Sequence, residues 1–123
     1  MKVTLQRVAH TRSGDKGNTS NIAVFAYEPK FYELLREQLT AERFKAFYKG
    51  AITGEVTRFE MVNIEAFNFV CEGALGGGVS RNLALDNYGK ALSAAILGFE
   101  LEVPDEWGSL LRGSPPSKGD ERS

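Results

Sequence analysis

Six consecutive apolar residues, Ile22–Tyr27, follow directly after a stretch that contains no hydrophobic residue. The run is far too short to cross a membrane, and its β-branched and aromatic side chains favour a strand. A strand that is apolar on both faces lies in the centre of a sheet or is covered on two sides. The chain is therefore expected to build a sheet around residues 22–27.

Further strands are expected where apolar positions alternate or turn residues flank a short segment. These segments are residues 3–9, Glu55–Val62, Asn82–Asp86 and Ala95–Val103. Val8 interrupts the alternation of the first segment and is consistent with a bulge. The last two flank a turn cluster at residues 87–89 that is typical of a hairpin, although Ala91–Leu97 taken alone also fits a helix.

Helices are expected in three segments. Pro29–Leu39 opens on a residue suited to the first helical position, and its apolar residues recur at three- and four-residue steps. Thr40–Gly50 has a capping residue at one end and a stop signal at the other. Asn63–Leu75 has an N-cap residue and one apolar face that includes Cys71, which is therefore expected to be a buried small hydrophobe.

The order of these segments, β-β-α(α)-β-α-β-β, indicates an α+β domain over residues 1–103. Because no regular βαβ alternation runs through it, a ferredoxin-like sandwich is expected, with a mostly antiparallel sheet and helices on one face. Residues 104–123 form a polar tail whose last ten residues are expected to be flexible. Within it, Trp107 is expected to pack on its own domain. An exposed sheet edge in a small protein predicts a homo-oligomer.

Composition excludes several classes of function. The net charge is −1, from 15 Lys+Arg and 16 Asp+Glu, so no general field attracts nucleic acid. One cysteine permits no intrachain disulfide and no cysteine cluster for a metal. The first ten residues lack the apolar core of a secretory signal, so a cytoplasmic location without membrane insertion is expected. No cofactor and no metal are predicted.

The polar stretch His10–Asn21 is expected to be a loop that carries a binding site. A hairpin needs only two to five connecting residues, so a longer polar connection points to function. Gly14 and Gly17 can adopt positive φ, which lets backbone N–H groups converge on an anion. The ligand-binding candidates, which suit a phosphate or a carboxylate, are Arg12, Ser13, Gly14, Lys16, Gly17, Asn18 and Asn21.

Two residues of the stretch are catalytic candidates. Histidine side chains are common general acids and bases near neutral pH, so His10 could act as a general base or acid, and Asp15 could orient a neighbouring base. Alternatively, residues 13–18 form a solvated turn with internal hydrogen bonds, and His10 is a structural residue at a strand end. The glycine spacing does not fit a triphosphate-binding loop, and a single histidine with scattered acids does not indicate a metal site.

A second glycine cluster spans residues 73–81. It is most simply a helix cap followed by a connector. Three consecutive glycines exceed what a cap needs, however, so Gly77, Gly78 and Arg81 are also candidates for a place beside a bound anion.

Several of these residues resemble the C-terminal domain of the acyclic terpene utilisation protein AtuA and the small stand-alone proteins similar to it. The resemblance covers Leu5 to Leu101. The residues that match are His10-x-Arg-Ser-Gly-Asp-Lys-Gly-Asn18 with Asn21-Ile22, Asn68-Phe69-Val70, Gly73-Ala-Leu75 with Gly77-Gly78, and Asp86 with Gly89-Lys90.

The resemblance implies a ferredoxin-like fold and a setting in the breakdown of terpenoid or branched acyl-CoA compounds. Full-length members pair this domain with a large N-terminal domain. We therefore expect a small accessory or ligand-binding subunit that holds an anionic ligand such as an acyl-CoA and works with a larger protein like that N-terminal domain. The alternatives are a free-standing hydratase, isomerase or lyase that uses His10 or Asp15, and a structural oligomerisation domain.

Overall fold

The computed structural model of the chain describes residues 1–16, 19–72 and 90–112. The strands are β1 (Lys2–Thr4), β2 (Ala9–Lys16), β3 (Thr19–Ala26), β4 (Val56–Met61), β5 (Ala66–Glu72) and β6 (Glu100–Glu102). The α-helices are α1 (Pro29–Gln38), α2 (Ala41–Phe47) and α3 (residues 90–95). Turns of 3-10 helix lie at Leu5–Arg7, Val62–Ile64, Ile96–Gly98 and Asp105–Leu110.

Four strands form an antiparallel sheet in the order β2-β3-β5-β4. Since β3 and β4 are each antiparallel to β5, they run parallel to one another, and the chain passes between them through α1 and α2. This is the split β-α-β arrangement of ferredoxin-like folds. The hairpin strand β2 takes the free edge beside β3, while β6 pairs with β1 in a small second sheet. The predicted α+β, ferredoxin-like architecture is confirmed.

The core lies between the four-stranded sheet and the helices. Phe44 of α2 stacks on Phe69 of β5 with ring centroids 4.2 Å apart, and Tyr32 of α1 stacks on Phe67 at 4.5 Å. All four side chains are buried. Stacked aromatic pairs contribute about 0.5–1.5 kcal/mol each beyond the area they bury. These pairs fix both helices on one side of the sheet.

The two helices between β3 and β4 follow the sequence prediction closely. Pro29 is the first helical residue of α1. Thr40 caps α2, and its hydroxyl oxygen accepts a hydrogen bond from the backbone N–H of Arg43 at 3.1 Å. Gly50, after the helix, has a φ of 92°, which glycine adopts at little cost. Capping residues act locally, so they mark these boundaries without knowledge of the rest of the fold.

The prediction of a loop from His10 to Asn21 was wrong for the residues described, because residues 10–16 and 19–21 lie in two paired strands. The backbone pairs continuously from Ala9 opposite Ala26 to Lys16 opposite Thr19. An edge strand with solvent on one side needs few apolar residues, because its neighbour supplies the hydrogen bonds and most of the buried surface. Thr11 adds a tertiary contact, since its hydroxyl donates to the carbonyl of Ser93 at 2.9 Å.

The prediction of a helix over residues 63–75 is also wrong for residues 63–72, which the structure describes. Val62–Ile64 form a 3-10 turn, Glu65 has a left-handed φ of 54°, and β5 begins at Ala66. A central strand is apolar on both faces, so its residues also satisfy a helical spacing. The buried state predicted for Cys71 is confirmed, on the strand rather than on a helix.

The chain ends are more irregular than the alternation of apolar residues predicted. Residues 3–9 contain a 3-10 turn at Leu5–Arg7, so Val8 marks the end of a turn and not a bulge. The expected strand over residues 95–103 is reduced to β6, because residues 90–98 are helical. Trp107 lies against Phe31 of α1, with ring centroids 5.9 Å apart, so it packs on its own domain as predicted. The strand and turn expected over residues 82–89 and the last ten residues lie outside the described ranges.

Candidate functional site

One side of the four-stranded sheet carries the candidate residues. We call it the outer face: the side opposite α1 and α2, where strand alternation places positions of β2 to β5 that are mostly half-buried or exposed. The register aligns these positions in three rows across the sheet: His10, Phe25, Ala66 and Met61; Arg12, Ala23, Asn68 and Phe59; Gly14, Asn21, Val70 and Thr57.

Arg12 is the charged group of the middle row. Its side chain is exposed and forms no hydrogen bond or ion pair with another described residue. On one side it is paired with Ala23, whose short side chain does not screen it. A guanidinium that is not engaged elsewhere presents planar N–H donors to a carboxylate or a phosphate.

Two small residues leave room beside Arg12. At Gly14, a Cβ atom would meet nothing within 4 Å, and Ala23 is directly paired with Arg12 on the neighbouring strand. Among the described glycines, only Gly50 has a positive φ, so Gly14 does not form the left-handed anion cradle expected of it. It contributes open space on an ordinary strand.

Two amide side chains border this open area. Asn21 is directly paired with Gly14, and Asn68 is directly paired with Ala23. Both are half-buried, and neither bonds to another described residue. From the strand spacing, Arg12 and Asn68 stand on backbones about 10 Å apart, with β3 between them. The three polar side chains therefore border the low area at Gly14 and Ala23.

His10 lies on the same face, one rung along the hairpin. Its ring stacks on Phe25 with centroids 4.9 Å apart and an interplanar angle of 10°, and Tyr27 lies 5.6 Å away. The imidazole is exposed. Because His10 and Arg12 are two residues apart on one strand, their backbones are about 7 Å apart. A group held by Arg12 is thus within reach of the imidazole.

The remaining candidates are not gathered with these residues. Ser13 is exposed but lies on the opposite face, paired with the buried Ile22. Asp15 and Lys16 are placed by their backbone pairing opposite Ser20 and Thr19. The candidates outside the described ranges are Gly17, Asn18, Gly77, Gly78 and Arg81.

Asn68 and Phe25 were not among the site residues that the sequence predicted. Asn68 is a polar residue inside the otherwise apolar segment 66–71, which is a signal that could have drawn attention to it. Phe25 belongs to an apolar run, and only the register shows that it supports His10. Both depend on pairing between distant segments.

The described residues do not favour a metal site, a cysteine nucleophile or a membrane-spanning helix. No group of three or more His, Cys, Asp or Glu residues is placed to hold a metal ion within residues 1–16, 19–72 and 90–112. Burial raises the pKa of the Cys71 thiol to about 11, so this cysteine is not a ready nucleophile. No helix in the described part of the chain is long and apolar enough to cross a membrane.

Comparison with known proteins identifies the family. The sequence profile of the AtuA ferredoxin-like domain matches residues 3–102 of the 123-residue chain. No curated protein and no solved structure matches the chain. The matched range contains β2 to β6 entirely, including both strands of the hairpin that bears Arg12, and all of β1 except Lys2. The chain belongs to the AtuA ferredoxin-like domain family.

Proposed function

We propose that this chain is an accessory, ligand-binding domain that holds a small anionic ligand on the outer face of its sheet. The observation that carries the proposal is the exposed Arg12 guanidinium, which has no partner among the described residues and stands beside the open space at Gly14. In this arrangement Arg12 neutralises the anion, and the amides of Asn21 and Asn68 donate further hydrogen bonds.

The apolar part of the same face suggests an amphipathic ligand. Phe25 and Val70 lie beside the polar area, and Phe59 on β4 is 52% exposed. A ligand with an acidic head and a branched hydrocarbon chain can place its head on Arg12 and its chain on these residues. Membership of the AtuA family favours an acyl-CoA thioester or a terpenoid acid. It also favours a larger partner that resembles the N-terminal domain of full-length members.

A titration with three probes tests the proposal. A branched-chain acyl-CoA, CoA alone and the matching free carboxylic acid separate recognition of the acyl group, of the CoA phosphates and of a carboxylate. We expect saturable binding of at least one probe, and Arg12→Ala to weaken it by roughly tenfold or more, as for a lost charged hydrogen bond. Lys2→Ala removes an exposed cation on β1 and serves as the matched control. Absence of binding by all three probes, or equal binding by Arg12→Ala, would contradict the proposal.

A second candidate function is a small hydratase, isomerase or lyase. The observation that favours it is the position of His10, exposed and supported by Phe25 on the same face as Arg12. In this hypothesis Arg12 binds the anionic group and His10 moves a proton beside it. Asp15, the other catalytic candidate, is paired with Ser20 at the far end of the hairpin.

Turnover by the purified protein distinguishes the two candidates. If the chain is an enzyme, acyl-CoA substrates are converted without a partner, and His10→Gln reduces kcat while leaving ligand affinity within about twofold. If it is an accessory domain, binding occurs without conversion, and a larger AtuA-like protein co-purifies with it. Conversion that is unchanged in His10→Gln would remove His10 from the mechanism.

A further inference from the structure

The outer face is not covered by the described helices α1 and α2, which pack on the opposite side, although it carries the residues proposed to bind a ligand. Ligand sites are normally concave and bury most of the ligand surface. Phe59 on this face is 52% exposed, and Val62 and Ile64 in the turn that follows β4 are 62% and 57% exposed. Concentrated apolar exposure of this kind marks an interaction surface.

We propose that a second copy of this chain covers the outer face, with a two-fold axis parallel to the strands. Such an axis, placed between β3 and β5, lays β2 of one copy over β4 of the other. Arg12 then faces the partner's Phe59, and Phe59 faces the partner's Arg12. Two sheets pack in this way about 10 Å apart, with the strands of the two sheets about 30° from parallel.

The chemistry at the two ends of the middle row is self-complementary. Arg12 and Phe59 are the outermost members of one row, and neither has an intrachain ring contact in the described structure. Elsewhere the fold repeatedly places a cation over a ring, as Arg112 does over Tyr27 and Arg58 over Phe67. The two-fold arrangement produces two further contacts of this type, which become stronger when the interface excludes water.

The sizes of the side chains match under the same axis. Large and small residues are placed opposite each other: Phe25 over the partner's Ala66, Ala23 over the partner's Asn68, and Gly14 over the partner's Thr57. His10 falls over the partner's Met61, a sulfur–aromatic contact. Interlocking of large and small residues is what sheet-on-sheet packing requires.

An axis perpendicular to the strands is less favourable. It would place the β2 strands of the two copies over one another, so that Arg12 met the partner's Arg12 and the partner's His10. Like charges brought together across an interface are strongly unfavourable. Charge repulsion therefore favours the axis parallel to the strands, which places Arg12 opposite the partner's Phe59 and His10 opposite the partner's Met61.

The second copy also completes the ligand site, and this part rests on the proposed function. In the dimer, the partner's Thr57 and Asn68 form a roof over the open area at Gly14 and Ala23, beside the partner's Phe59. From strand spacings, the flat area of the face is on the order of 400 Å² per copy, which is typical of a weak interface. A ligand bound between the copies strengthens their association by linkage. Dimerisation is therefore expected to depend on concentration and to increase when ligand is present.

The proposed dimer is tested with variants in which Arg12 and Phe59 are exchanged. Sedimentation velocity measures their dimerisation over about a hundredfold range of protein concentration. We expect the natural chain to dimerise and Phe59→Arg to weaken the dimer by roughly tenfold or more, because guanidinium groups then face each other. The double variant Arg12→Phe with Phe59→Arg restores opposite partners and is expected to recover dimerisation. Both residues are exposed, so circular dichroism is expected to show unchanged folding.

Each outcome separates this inference from the proposed function. A chain that is monomeric at every concentration, or a Phe59→Arg variant that dimerises normally, overturns the inference even if the chain binds an acyl-CoA. Failure of the double variant to recover dimerisation overturns the direct contact between Arg12 and Phe59. A dimer with the expected response to both variants but without affinity for any anion supports the interface and overturns the proposed function.

Discussion

Asn21 and Gly14 face each other across the β2–β3 hairpin, so an unbonded amide borders a position that has no side chain. Because Gly14 has no side chain, the surface between Asn21 and Arg12 is left open. A larger residue at position 14 is expected to fill that area while leaving the fold intact, because a Cβ there meets nothing within 4 Å.

Gly14→Val is therefore predicted to abolish ligand binding without loss of stability. A β-branched residue suits a strand, and the unfolding free energy is expected to stay the same or increase by up to about 1 kcal/mol. Chemical denaturation and ligand titration of the same sample check both parts. A variant that binds normally would show that the space at Gly14 is not part of the site.

The stack between His10 and Phe25 is predicted to contribute modestly to stability. Removal of the ring in His10→Ala is expected to lower the unfolding free energy by about 0.5–1 kcal/mol, the value of a cross-strand aromatic pair. His10→Phe keeps a ring on Phe25 and serves as the control. If His10→Ala has no effect on unfolding but reduces ligand affinity, the imidazole acts on the ligand and not on the fold.

Arg58 is predicted to be the arginine whose loss most affects the end of α1. It donates hydrogen bonds to the carbonyls of Arg36 and Leu39, both at 2.9 Å, and its guanidinium lies 4.9 Å from the ring centre of Phe67. Arg58→Met, which leaves these carbonyls without the donor, is expected to cost about 1–3 kcal/mol in urea denaturation. Arg36→Met removes an exposed pair with Glu33 and a contact of the guanidinium with the Tyr32 ring at 5.9 Å, and its cost is expected to stay below about 1 kcal/mol.

Two tyrosines are predicted to respond oppositely to loss of the hydroxyl. The Tyr32 hydroxyl is buried without a hydrogen-bond partner among the described residues, and burial raises its pKa. The Tyr48 hydroxyl donates to the carbonyl of Leu92. Tyr32→Phe is expected to stabilise the fold by about 1 kcal/mol, and Tyr48→Phe to destabilise it by a similar amount. Equal destabilisation in thermal or chemical unfolding would indicate a partner for Tyr32.

Cys71 is predicted to make the fold sensitive to alkaline pH. Burial raises its pKa from 9.0 to about 11, so the unfolded chain loses the thiol proton first as pH rises. The contribution of this group to stability is complete below about pH 9 and declines as pH rises from there to about 11. Unfolding measured across this range, with Cys71→Ala as the comparison, is expected to show the difference. Equal pH profiles would contradict it.

Local signals explain why α1 and α2 could be predicted from the sequence. Pro29 and Thr40 fix helix starts through the geometry of their own backbone and side chain, independent of distant segments. The strands β2 and β5 could not be assigned in this way. The polar β2 is held by hydrogen bonds from β3. Most residues of the central strand β5 are apolar, so its sequence also fits the spacing of a helix.

In the candidate site, too, some features could be predicted from local sequence and others depend on strand pairing. Arg12 and Asn21 stand out in the sequence because they are polar residues in a segment without hydrophobes. Their relation to Asn68 depends on the register of β3 against β5, which a short polar motif does not determine. Ser13, adjacent to Arg12, is placed on the other face by strand alternation. The sequence could thus predict which polar residues belong to the site. That they lie on one face of the sheet could be seen only from the pairing of the strands.

Amide chemical-shift mapping by NMR during titration with a branched-chain acyl-CoA tests the proposed site most directly. The largest changes are predicted at Arg12, Gly14, Asn21, Ala23 and Asn68, with little change in α1 and α2 or in β1. Arg12→Ala is expected to suppress these changes at the same ligand concentration, whereas Lys2→Ala leaves them intact. Changes that cluster away from the outer face, or that persist in Arg12→Ala, would contradict an anion site at this position.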